Sequence, residues 1–197
     1  MKIGLFFGSF NPIHIGHLII ANMMVNITDL DEVWFVVSPQ NPLKINDPTL
    51  LPASERLLMV KKVIERNNKL HVTDIEFNMP KPSYTINTLM HLREKYQQHT
   101  FFLIIGEDNL NSFGKWKNYD KIIKNFQIYV YPRIVEPIDL PVKATAKAGN
   151  LLKISFKIID APIIDISSNL IRRYIKEGKS IKYLVPDAVE NYLLSIS

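Results

Sequence analysis

His14 and His17 stand three residues apart in the run GSFNPIHIGH at 8–17, which follows one apolar segment and leads into another. Where a helix begins, that spacing puts both imidazoles on one face, so both can reach a single polyanion. Gly8 allows backbone to approach a phosphate closely, Pro12 stiffens the turn, and the N–H groups opening the helix add donors and partial positive charge. The helix N-terminus also disfavours imidazolium, so the two histidines are expected to act as neutral donors. Zinc is the rival ligand for this pair, but a metallohydrolase helix carries histidines four apart with a Glu base, and no Glu is nearby. The run is neither G-x-G-x-x-G nor a Lys-containing P-loop, which removes the fingerprints of dinucleotide redox enzymes and ordinary kinases. A second polar cluster, ISSNLIRR at 166–173, offers Ser167 and Ser168 as helix caps and Arg172 as a cation one turn on. Taken singly, each has a bland reading: core histidines, capping serines, a solvated arginine.

Six short segments read as strands, at 2–7, 32–37, 70–74, 100–105, 126–131 and 153–159. Helical patterns fill most gaps between them, a βαβ rhythm that predicts a doubly wound, mainly parallel α/β sheet of Rossmann-like type with crossover helices. VWFVV and FFLII are continuously apolar, as central strands covered on both faces should be, whereas Ile154, Phe156 and Ile158 alternate with Ser155 and Lys157 and belong nearer an edge. Apolar stripes at Ile15, Leu18, Ile19, Met23 and Ile27, at Leu57, Val60 and Ile64, and at Ile86, Leu89, Leu92 and Tyr96 mark crossover helices and their core faces. Gly178 ends a helix capped at Ser167 or Ser168, and Pro186 suits the first turn of a terminal helix, so the tail is helical. Pro137, Pro141 and Gly149 mark 135–150 as a loop, either a lid or an insertion. In such a sheet, ligands bind beyond the carboxyl ends of the strands, where the loop after the first strand opens.

The 197 residues are 47% apolar, enough for one core, and are read as a single domain over 1–197. Zero cysteines exclude disulfides, thiolate zinc sites and cysteine nucleophiles, and fit the reducing cytoplasm. No apolar run reaches the ~18 residues of a membrane span. The net charge of +5 is spread along the chain without aromatic-interleaved basic runs, which suits small phosphorylated ligands better than nucleic acid.

GSFNPIHIGH resembles the G-x-F-x-P-x-H-x-G-H signature of the adenylyltransferase branch of the HIGH-type nucleotidyltransferases, and ISSNLIRR resembles their second motif, I-S-S-T-x-I-R. Three middle stretches are similar to bacterial nicotinate-nucleotide adenylyltransferases: PQNPLK at 39–44 to P-x-x-P-H-K, KPSYTINTL at 81–89 to G-P-S-Y-T-x-D-T-L, and FFLIIGEDNLNSFGKW at 101–116 to F-I-I-G-x-D-x-x-x-x-x-x-K-W. The resemblance spans nearly the whole chain. It implies transfer of AMP from ATP to nicotinate mononucleotide with release of pyrophosphate, a step of NAD biosynthesis, with Mg²⁺ accompanying ATP and no metal site built by the protein. By the same resemblance His14, His17 and Arg172 are catalytic. Gly8, Ser9, Phe10, Gly16, Gly106, Asp108, Ile166, Ser167 and Ser168 would bind ATP, with Asp108 near its ribose. Lys44, Tyr84, Thr85, Trp116 and Arg133 would bind the acceptor.

The acceptor's chemistry makes sense of these types. Trp116 can stack on a cationic pyridinium, and the N–H groups of Tyr84 and Thr85 at a helix start accept a carboxylate but not a carboxamide NH₂. Asn11, Leu43, Asn87 and Asn169 depart from the family's Asp, His, Asp and Thr, and Phe7 stands where a second Gly is common. Two rivals stay open: an adenylyltransferase that uses nicotinamide mononucleotide or phosphopantetheine, and a nucleotide sensor without turnover. Oligomeric state is also open.

Overall fold

The computed structural model describes residues 1–42, 47–133 and 156–196. Six parallel strands form one sheet in the order β3-β2-β1-β4-β5-β6, with β1 at Lys2–Gly8, β2 at Glu32–Val37, β3 at Leu70–Thr73, β4 at Thr100–Gly106, β5 at Ile128–Tyr131 and β6 at Phe156–Ile158. The described helices are α1 (Ile15–Ile27), α2 (Ala53–Ile64), α3 (Thr85–Lys95), α4 (Glu107–Phe113), α5 (Tyr119–Asn125), α6 (Ser168–Lys176) and α7 (Asp187–Ser195). None of them is long and apolar enough to cross a membrane.

The two runs without polar interruption lie on either side of β1, as their composition requires. Their side chains alternate between two cores. Ile3, Leu5, Leu103 and Ile105 pack with Ile86, Leu89 and Ile122 of α3 and α5. Phe6, Phe35, Phe102 and Ile104 pack on the other face with Ile20, Met24 and Val60 of α1 and α2. Each aliphatic side chain so buried contributes about 1.5–3 kcal/mol. β6 is the edge strand, and its Ile158 is 64% exposed.

Helix α1 departs from expectation in phase. Its buried residues are Gly16, Ile20, Ala21, Met24 and Val25, whereas Ile15, Leu18, Ile19 and Met23 are half-buried and Ile27 is exposed. The run LIIANMMV is apolar on nearly every side, so spacing alone could not choose the inward face. The stop of α6 is as expected: Gly178 takes φ +64, with Gly178 N–H donating to Ile175 O at 3.0 Å and Lys179 N–H to Tyr174 O at 2.8 Å, a Schellman closure. The 135–150 loop lies outside the described residues.

Strand order reverses at β1. The chain leaves β1 and β2 through α1 and α2 on one face, then crosses through α3 to β4 on the other. The loops after β1 and β4 therefore diverge and leave a crevice at their carboxyl ends.

Candidate active site

The turn after β1 delivers the two histidines as a stacked pair. Their ring centroids lie 3.6 Å apart at 27°, and the His17 ring also packs on Phe10 at 5.1 Å. His14 is the N-cap of α1; its Nδ1 accepts from His17 N–H and His17 Nδ1 accepts from His14 N–H, each at 3.3 Å. This is a capping box built from imidazoles in place of Ser and Glu. An Nδ1 that accepts cannot carry the proton, so each neutral ring keeps it on Nε2 and presents an N–H donor.

Burial foremost, and then the Arg133 guanidinium, pull the His14 pKa down to about 3. Neutrality was expected from the helix terminus; desolvation is the larger cause. In the unfolded chain His14 protonates near 6.5. Between these values the unfolded state binds the extra proton, so stability contributed by this site is complete above pH 6.5 and falls as pH drops toward 3. Acidification from pH 7.5 to 5 should cost on the order of 2 kcal/mol through His14. Denaturant midpoints measured across that range should show a pH slope in the native protein that a His14→Asn variant lacks; equal slopes would contradict the assignment.

The second motif closes onto the first. Ser168 Oγ donates to Pro12 O at 3.0 Å across 156 residues, and Arg172 Nη1 donates to Asn11 O at 2.8 Å across 161 residues. Ser167 caps α6, its Oγ accepting from Leu170 N–H at 3.2 Å. Arg133, at the end of β5, donates through Nη1 to Ile164 O at 3.2 Å and lies 4.0 Å from Asp108 beside Gly106. The structure thus places Arg133 on the His14 side of the crevice and outside the lining of the cleft that holds Tyr84 and Trp116.

That cleft is the other half of the crevice. It is lined by Phe6, Phe7 and Gly8 from β1, Ser83, Tyr84 and Thr85 at the start of α3, Gly106 from β4, and Lys115, Trp116 and Lys117 after α4. Tyr84 is the N-cap of α3, so the first helical N–H groups open there. Lys117 Nζ stands 4.2 Å above the Tyr84 ring, and half-buried Trp116 packs on Phe113 at 5.1 Å. A flat aromatic, a helix N-terminus and lysine ammonium groups suit a planar, anionic ligand. Lys44 and Leu43 lie outside the described residues.

Residues 5–174 match the cytidylyltransferase-like family. Relatives named as probable nicotinate-nucleotide adenylyltransferases extend over nearly all of the chain. That of Flavobacterium johnsoniae is 52% identical over 194 residues, 98% of this chain and 96% of its own. That of Bacteroides thetaiotaomicron is 40% identical over 98% of this chain and 91% of its own. The chain belongs to the nicotinate-nucleotide adenylyltransferases of the cytidylyltransferase-like family. Among solved structures, the nicotinic acid mononucleotide adenylyltransferase of Plasmodium falciparum complexed with NaAD has the same fold, with TM-score 0.80 at 20% identity over 99% of this chain and 95% of that one.

Within this adenylyltransferase several residues expected to bind ATP also have structural roles. The Phe10 ring, 2% exposed with φ +49 at its backbone, folds into the core. A Cβ on Gly8 would meet that ring at 2.8 Å, so Gly8 makes room for Phe10 before any phosphate. Of the N–H groups opening α1, that of Ile15 goes to Leu184 O and that of His17 to His14; among the described residues Gly16 N–H has no partner. Ser9 is 7% exposed and its carbonyl is taken by Arg56, while Ile166 is half-buried in the core near α6.

The departures from the family pattern also find reasons. The Asn11 amide donates to Thr49 O at 2.8 Å and accepts from Leu51 N–H at 3.0 Å, a pairing that Asp could not make. Asn169 Oδ1 accepts from Arg172 Nη2 at 2.6 Å and steadies the guanidinium. Asn87 is exposed on α3. Phe7 gives the cleft an aromatic wall. Two buried ionisable residues, Arg56 and Glu76, were not foreseen.

Proposed function

We propose that this chain joins ATP and nicotinate mononucleotide into nicotinate adenine dinucleotide and pyrophosphate, and that it does so in the cytoplasm. The observation that carries this reading is the docking of Ser168 and Arg172 onto the Asn11–Pro12 turn, which gathers the imidazole pair and a guanidinium into one phosphate site next to the aromatic cleft.

An oxygen of the acceptor's phosphate attacks the α-phosphorus of ATP, and the bridging P–O bond to the β-phosphate breaks as pyrophosphate departs. The nucleophile is already an anion, so no general base or covalent enzyme intermediate is required. The barrier lies in aligning two anions and offsetting charge as it builds on the transferring and departing groups. His14 and His17 donate through neutral Nε2–H, which costs no proton, and Arg172 adds fixed charge. Arg133, whose charge reaches His14, lies where it can add further charge beside the reacting phosphates. In the cleft, Trp116 receives the pyridinium face and the N–H groups of Tyr84 and Thr85 receive its carboxylate.

Among the described residues no group of three His, Asp or Glu is placed to hold a metal. Mg²⁺ would enter with ATP rather than at a site built by the protein. The ion would neutralise phosphate charge.

The test is product analysis. Protein with MgATP and nicotinate mononucleotide should release one pyrophosphate per nicotinate adenine dinucleotide formed, identified by mass. Pyrophosphate without dinucleotide, or ATP binding without either product, would overturn the reading.

A further inference from the structure

The mechanism leaves one buried carboxyl unused. Glu76, 1% exposed, lies in the 3₁₀ turn at Ile75–Asn78 that follows β3. Its Oε1 accepts from Thr88 Oγ1 at 2.6 Å, and Thr88 is itself 1% exposed, one turn into α3. The hydroxyls of Ser38, at the end of β2, and Ser83, just before α3, face the same carboxyl. Glu76 Oε2 and Ser83 Oγ are buried without completing a full hydrogen bond between them. Ser38 and Ser83 both line the aromatic cleft, so Glu76 stands directly behind its wall.

We propose that Glu76 is a positioning residue of the acceptor site: it fixes the turn at Ser83, Tyr84 and Thr85 against the end of β2, and so aims the N–H groups that receive the acceptor's carboxylate. The inference rests on the function proposed above. Tyr84 O accepts from Thr88 N–H at 3.4 Å, and Ser83 N–H donates to Gln40 O at 3.0 Å, so the turn hangs between α3 and the loop after β2. Glu76 braces both supports from behind. Burial pushes its carboxyl pKa up, which favours the neutral acid. The hydroxyls of Thr88, Ser38 and Ser83 act against that rise, so the carboxyl is held by contacts from three segments at once. The histidine side of the crevice is held separately, by the capping box and by Arg172, so loss of Glu76 should act on the acceptor and spare ATP.

The test is steady-state kinetics of the full chain with nicotinate mononucleotide at saturating MgATP, with thermal midpoints alongside. Glu76→Ala should raise the acceptor KM about 10-fold, the equivalent of one charge-assisted hydrogen bond, with kcat and the ATP KM within about twofold. Glu76→Gln, which keeps an oxygen for Thr88 and a polar atom towards Ser83, should restore the native KM. Thr88→Val, which removes only the brace from α3, should raise the acceptor KM in the same direction should Glu76→Ala fail to fold. Unchanged acceptor KM in the folded variants, a parallel loss of kcat and both KM values, or Glu76→Gln as impaired as Glu76→Ala would overturn the role of Glu76 alone. Native protein inactive with this acceptor would instead overturn the functional reading, and this inference with it.

Discussion

Replacing His17 with alanine lowers kcat by about 10²–10³-fold, the usual cost of removing one preorganised donor to developing charge. His17 is the more accessible partner of the stacked pair, half-buried where His14 is 1% exposed. Its Nδ1 is held by His14 N–H at 3.3 Å, so the direction of its Nε2–H is set before substrate arrives. The contact strengthens as charge grows on the phosphates, so kcat and kcat/KM should fall together while the acceptor KM stays near its native value. His17→Asn, which can still accept from His14 N–H and donate outward, should recover part of the loss. Steady-state kinetics of the two variants at matched thermal midpoint check this. Unchanged kcat in His17→Ala would remove the imidazole pair from the chemistry.

Replacing Arg56 with methionine should be the most destabilising single change described here. Arg56 is 0% exposed and no carboxylate among the described residues pairs with it. Its guanidinium spans backbone carbonyls of three segments: Nη1 donates to Ser9 O at 2.5 Å and Ser38 O at 2.9 Å, Nη2 to Pro39 O at 3.2 Å, and Nε to Leu51 O at 2.9 Å. Burial lowers its pKa to about 10, which leaves it charged at neutral pH. Arg56 thus fastens the turn before the histidines to the loop after β2 and the entry to α2. Methionine would fill much of the space and satisfy none of the carbonyls. The expected loss is about 3–5 kcal/mol. At about 2–4 °C per kcal/mol for a chain of this size, the thermal midpoint should fall by about 6–20 °C. A fall of less than about 2 °C would mean that the loops hold without the clamp.

What sequence reading recovered depended on how local the signal was. The inner place of β2 and β4 and the edge place of β6 followed from two unbroken apolar runs and one alternating run, because burial on two faces or one leaves that mark directly; the rest of the strand order did not. The shared face of the histidine pair was legible because a helix start dictates its neighbours, whereas Arg172 stood out only through the likeness of ISSNLIRR to the second motif. The inward face of α1 was not, since Leu18, Ile19, Ile20, Met23 and Met24 offer apolar choices all round and only packing on the sheet decides. Arg56 carried a usable signal: continued back one turn, the stripe at Val60 and Ile64 arrives at Arg56, although an arginine after Glu55 reads as surface. Glu76 carried none, because its burial comes from Thr88, Ser38 and Ser83 arriving from distant segments. The neighbours of Arg133, His14 and Asp108, were not legible for the same reason: its place follows from β5 lying beside β4, a long-range pairing.

The Tyr84, Thr85 and Trp116 cleft is expected to select a nicotinate-bearing phosphate as acceptor. The most direct measurement is kcat/KM for nicotinate mononucleotide against nicotinamide mononucleotide under identical MgATP, with phosphopantetheine as a third acceptor. Charge-assisted hydrogen bonds from helix N–H groups are worth about 1.5–3 kcal/mol, so the acid should be preferred by about 10- to 100-fold. Equal use of acid and amide, or preference for the amide or for phosphopantetheine, would contradict the account.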